Sequence, residues 1–199
     1  MTLTHALPPR RLALAIASCA VPVAAMAHPG SLADHVAHPH GFMDGFVHPF
    51  GGLDHLGAML AVGLWSAGSL RRAWIAPAAF VACLLAGALA TAGGTVVAGA
   101  EPMIAVSLLV MGLLLAARAA LPAPAAAAIV GAFAFFHGAS HGVELGAGPA
   151  LAGMVVATGL LHAAGIALGL ALGGRSAWWT RAAGTGLATF GLVLLGAGA

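Results

Sequence analysis

From Phe46 to the C-terminus the chain is a succession of long apolar tracts separated by short polar interruptions. The tracts run from Phe46 to Gly68, Trp74 to Val97, Pro102 to Ala117, Ala123 to Leu145, Pro149 to Leu172 and Ala182 to Gly198. A bilayer core of about 30 Å needs about 20 apolar residues in a helix, and only the third tract is short for a full crossing. The pattern predicts an all-α polytopic membrane bundle of six transmembrane helices, occupying residues 46–199. Two segments precede it. Residues 28–45, HPGSLADHVAHPHGFMDG, are polar and rich in histidine. Residues 1–27 carry Arg10 and Arg11, an apolar run from Leu12 and the small-residue site Ala25-Met26-Ala27, the order of a cleavable secretory signal. As a first transmembrane helix, Leu12 to Ala27 is short and holds Pro22. As a lipoprotein signal ending at Cys19, it continues too far in apolar residues.

The arginines orient this bundle. With the mature N-terminus outside, Arg71, Arg72, Arg118, Arg175 and Arg181 all fall on the inner side, and the other loops carry no arginine. Basic residues concentrate on the cytoplasmic side. The expected location is therefore the bacterial inner membrane, multi-pass, with residues 28–45 in the periplasm. Trp65, Trp74, Trp178 and Trp179 are expected near the cytoplasmic ends, where indole rings favour the interface.

Composition agrees, with 61% hydrophobic and 6% charged residues, outside the range of soluble domains. The formal net charge of +2 is too small to point to a nucleic-acid partner. Cys19 and Cys83 are the two cysteines, and removal of the leader leaves one, so a metal site here must use nitrogen and oxygen ligands. Glycine spacings such as Gly138-x3-Gly142 and Gly165-x3-Gly169-x3-Gly173 suit close helix approach.

Ionisable groups inside a membrane are expensive and usually face a polar pathway. Here they gather at one end. His48, Asp54 and His55 lie in the outer half of the first span, Glu101 opens the third, and His137, His141 and Glu144 lie in the outer half of the fourth. At about 100° per residue, the last three share a sector of about 60° on one helix face, a partial coordination sphere for a divalent first-row metal. His48 and His55 also share a face, but Asp54 points away from it in a regular helix. Pro49 and Gly51-Gly52 predict an irregular turn there. Such a turn either brings Asp54 to the metal or lets it hold a ligating histidine in place. His162, alone in the fifth span, is expected to bond a neighbouring helix. The outer His28, His35, His38, His40, Asp34 and Asp44 form a candidate metal collector, and cleavage before His28 would add its α-amine as a second donor.

The motifs HPFGGLDH and FHGASHGVE, with their context GFVHPFGGLDHLGAMLAVGLW, resemble the HupE/UreJ family of nickel permeases, and the resemblance covers essentially the mature chain. It implies a non-enzymatic permease carrying divalent nickel, with cobalt as alternative cargo, into the cytoplasm for hydrogenase or urease metallocentre assembly; the nitrogen and oxygen ligands themselves would also accept zinc. The ion is cargo, and no prosthetic group is implied. It gives His48, Asp54, His55, His137, His141 and Glu144 as the metal positions. Glu101 looks like the family's acidic residue in the middle of the bundle, without a distinctive motif around it. The implied partners are the metal ion, the lipid bilayer and cytoplasmic nickel chaperones.

Two other readings compete on the residues alone. One is an intramembrane zinc-dependent hydrolase, with three histidines on zinc and Asp54 or Glu144 as general base. The other is a b-type cytochrome, with His55 and a fourth-span histidine as axial ligands. No Walker A sequence is present, and without any lysine none is possible.

Overall fold

The computed structural model describes residues 41–172 and 177–198. The leader, His28 and the histidine-rich stretch through His40 lie outside the described residues, as does Arg175. The described chain is all-helical. Its elements are α1 (Phe42–Gly51), α2 (Leu53–Ser69), α3 (Ile75–Thr91), α4 (Ala100–Ala117), α5 (Ala123–Leu145), α6 (Pro149–Leu172) and α7 (Trp178–Gly196). Three of them, α4, α5 and α6, are long and apolar enough to cross a membrane, and α3 is apolar but shorter. This is a membrane protein, and Leu89, Leu113, Leu160, Leu170 and Leu192 sit exposed on its outside.

The first apolar tract is where the structure departs most from a row of continuous spans. It is two helices, broken at Gly52, whose backbone is extended (φ −108°, ψ 124°). Pro49 lies within α1 without ending it, and the chain turns three residues later. Helix α1 starts at Phe42, so residues 42–45 are helical and continuous with the first apolar tract. Asp44, expected among the outer metal collectors, accepts a hydrogen bond from the Gly41 N–H (2.7 Å) and caps α1. Elsewhere the ends follow local chemistry. Helix α5 begins behind Pro122 with proline in its first turn and closes at Gly146, which adopts a positive φ of 62° and donates its N–H to the Gly142 carbonyl.

The helices pack chiefly in pairs: α3 with α5, α4 with α7, and α6 with both α1 and α2. Glycine makes each contact close. A methyl on Gly138 would collide with the Leu84 carbonyl oxygen, one on Gly63 with that of His162, and one on Gly112 with the Ala188 backbone. The short connections reverse the chain at each step. Arg71, Arg72, Arg118 and Arg181 therefore lie toward one end, the arginine end, while both histidine motifs lie toward the other. Trp74, Trp178 and Trp179 are exposed near the arginine end. Trp65 is not an interfacial anchor: it is buried, and its indole Nε1–H donates to the Ala119 carbonyl oxygen (2.8 Å), tying α2 to the α4–α5 connection.

Candidate metal centre

Helices α2 and α5 are not among the closely packed pairs. Imidazoles reach across the space between them. His48 comes from α1, His55 from the first turn of α2, and His137 and His141 from α5. The ring centroid of His141 lies 4.5 Å from that of His48 and 4.5 Å from that of His55, and His55 lies 5.3 Å from His137. Two motifs more than eighty residues apart thus build one file of rings, leading from the histidine end into the bundle.

At the mouth of the file, His48, His141 and Glu144 each offer one ligand atom, all within 4.8 Å of one another. His48 Nδ1 lies 3.9 Å from Glu144 Oε1, and His141 Nδ1 lies 3.7 Å from Glu144 Oε2. These separations are too long for hydrogen bonds. They leave room for an ion to draw the three groups inward, since first-row metals sit about 2.0–2.2 Å from nitrogen and carboxylate donors.

The break at Gly52 places the Asp54 carboxylate beside His55. Its carboxylate does not join the group at the mouth. Instead Oδ1 folds back over Gly52 and lies 3.0 Å from His55 Nδ1, and a methyl on Gly52 would press into both. The His55 Nδ1–H donates to the carboxylate, so Nε2 keeps its lone pair. That nitrogen meets His141 Nε2 at 2.6 Å. With His55 Nε2 accepting, His141 must carry its proton on Nε2, and its Nδ1 lone pair is left facing the group at the mouth. The Asp54 contact matches the second of the two placements its position allows, a carboxylate behind an imidazole, an arrangement common behind metal-bound histidines.

His137 is deeper and fully buried. Its partner, Ser107 of α4, is a residue that motif reading passes over. The Ser107 hydroxyl donates to the Ile104 carbonyl oxygen (2.6 Å), so its oxygen accepts from His137 Nε2–H at 2.9 Å. The lone pair of His137 is thereby placed on Nδ1, which has no other partner among the described residues. The available signal was a hydroxyl in the middle of α4, which is apolar beyond Glu101 in its first turn.

Glu101 is not brought into this file. It is exposed in the first turn of α4, not in the middle of the bundle, and accepts a hydrogen bond from Ser140 Oγ (2.6 Å). It lines a separate groove of about 340 Å³ with Val97, Pro102, Ala139 and Val143. His162 is likewise apart, and neither of its ring nitrogens bonds a neighbouring helix among the described residues.

Comparison with known proteins bears on this arrangement. The family model described as HupE / UreJ protein matches residues 15–194. Protein HupE of Rhizobium leguminosarum bv. viciae is 38% identical over 191 residues, covering 93% of this chain and 97% of its own length. No solved structure matches the chain.

Proposed function

The chain belongs to the HupE/UreJ family, and from that premise we propose that it is a bacterial inner-membrane permease taking up divalent nickel, with cobalt as a second cargo, from periplasm to cytoplasm. The observation that carries this reading is the convergence of His48, His141 and Glu144 at the end of the file of imidazoles. Two neutral nitrogens and a carboxylate suit a borderline first-row cation. In this reading the chain crosses the membrane six times, α1 and α2 together forming the first crossing. The leader is cleaved before His28, and the histidine end faces the periplasm because the loop arginines lie at the other. The ion sheds part of its hydration onto His48, His141 and Glu144. It then passes to the nitrogens of His55 and His137, which Asp54 and Ser107 hold in orientation. Glu101 stands outside this path as a carboxylate at the outer surface, and the His28 collector is an addition at its entrance. Cytoplasmic chaperones that bind the released ion would keep its inner concentration low, and the metal would serve hydrogenase or urease assembly.

The Asp54 carboxylate, one of two general bases available to a zinc hydrolase, is engaged by His55, and nothing in the site favours that reading. Nickel uptake into liposomes containing only this protein tests the proposal. Accumulation that needs the protein and disappears with His141→Ala is expected, and parent liposomes no more permeable to nickel than empty ones would refute it.

A further inference from the structure

His162 of α6 is 2% exposed, and among the described residues neither Nδ1 nor Nε2 has a hydrogen-bond partner. Buried polar side chains are ordinarily satisfied, and a bare one is destabilising. The condition recurs close by. Thr158, four residues earlier on the same face of α6, is fully buried with an unpartnered hydroxyl, and so is Ser66 on α2, which packs along α6. Packing alone leaves this polar set unexplained.

The ring of Phe80 joins His162 to the file described above. Its centroid lies 4.8 Å from that of His162, in a T-shaped contact, and 5.7 Å from that of His137. Phe80 also lines a small internal cavity of about 10 Å³ together with Val62 and Ser107, close to the space one water occupies. The same ring thus touches both imidazoles and a void beside the serine that orients the first. In depth the groups form a series. At about 1.5 Å per residue, His141 lies about 6 Å and His137 about 12 Å from the end of α5 at Leu145. By the same rise, His162 lies about 20 Å from the start of α6 at Pro149, well into the helix.

We propose that His162 is a second, deeper binding station for a divalent first-row cation, which it takes from His137 once the ion has passed Phe80. This rests on the transport reading and extends it beyond capture. A doubly charged ion has no tolerable path through apolar side chains without donors at intervals. Here an imidazole with both nitrogens bare follows the last residue of the outer file. Between them, the face of an aromatic ring attracts a cation without holding it.

The test uses the full chain, nickel(II) as the only probe, and the substitutions His162→Gln and His162→Leu. Nickel binding to the detergent-solubilised protein is measured by titration, and uptake is measured in proteoliposomes. Because His162 makes no hydrogen bond among the described residues, both variants should fold, and high-affinity binding at the mouth should stay within twofold of the parent while uptake falls at least tenfold. His141→Ala should lose both. A smaller loss of uptake in both His162 variants overturns the proposal, as does loss of mouth binding together with uptake. Failure of both variants to fold would assign the imidazole to packing and overturn it as well. A parent chain that neither binds nor transports nickel removes the transport reading itself, an outcome visible before any substitution is made.

Discussion

His55 and His137 each give up one ring nitrogen to a positioning partner, and that choice decides what the other nitrogen does. The Asp54 carboxylate accepts a hydrogen bond from His55 Nδ1–H, and the Ser107 oxygen accepts one from His137 Nε2–H. Removing such a partner leaves the ligand in place but lets the ring turn and change tautomer, which typically weakens metal binding by about 10–100-fold. Asp54→Asn and Ser107→Ala should each raise the nickel dissociation constant by that factor, with thermal unfolding in detergent close to the parent's. Titrations indistinguishable from the parent would detach both residues from the metal.

At the scale of helices, the close approaches depend on where a side chain is missing. Gly138 and Gly142 of α5 sit against the Leu84 and Ala88 backbone of α3, and Gly165 of α6 against the Leu60 carbonyl of α2. Gly138→Val should open the α3–α5 contact, lower stability by about 1–3 kcal/mol or more, and displace His137 and His141 with the helix that carries them. Gly159→Ala meets nothing within 4 Å and replaces glycine by a better helix former, so its melting temperature should equal or exceed the parent's. The prediction fails if both variants melt alike. Much of this level was legible in advance. The tracts Ala123–Leu145 and Pro149–Leu172 coincide with α5 and α6, because proline and glycine mark their ends and apolar residues fill the rest. Of the glycine spacings read as helix contacts, Gly138, Gly142, Gly165 and Gly169 are contacts, and Gly173 lies outside the described residues. The irregular turn was expected from Pro49 and Gly51-Gly52, and it falls at Gly52. What sequence could not place depends on side chains from other helices. Ser107 matters because His137 arrives from α5, Trp65 is buried because Ala119 offers a carbonyl, and Glu101 stands apart because Ser140, one position from His141, points it elsewhere. For His162, its isolation along the chain suggests a packing hydrogen bond, whereas among the described residues both its ring nitrogens are unpartnered.

For the molecule as a whole, the two ends differ in charge, and the proposed direction of movement rests on that difference. Exposed leucines cover the outside, the imidazoles and Glu144 lie toward one end, and the loop arginines lie toward the other. In the proposed orientation, with the arginine end in the cytoplasm, an inside-negative potential would pull a cation from the histidine end inward. Each elementary charge crossing 100 mV gains about 2.3 kcal/mol, so a divalent ion gains about 4.6 kcal/mol. At about 1.4 kcal/mol per tenfold, that supports accumulation of roughly three orders of magnitude. No nucleotide-binding sequence of the Walker type exists here to supply more. In proteoliposomes clamped by a potassium gradient and valinomycin, nickel accumulation should climb with inside-negative potential toward that limit, and collapse when the potential is set to zero. Accumulation that ignores the clamped potential and follows an imposed proton gradient would instead make the imidazole file a route for coupled protons, with potential-driven entry discarded.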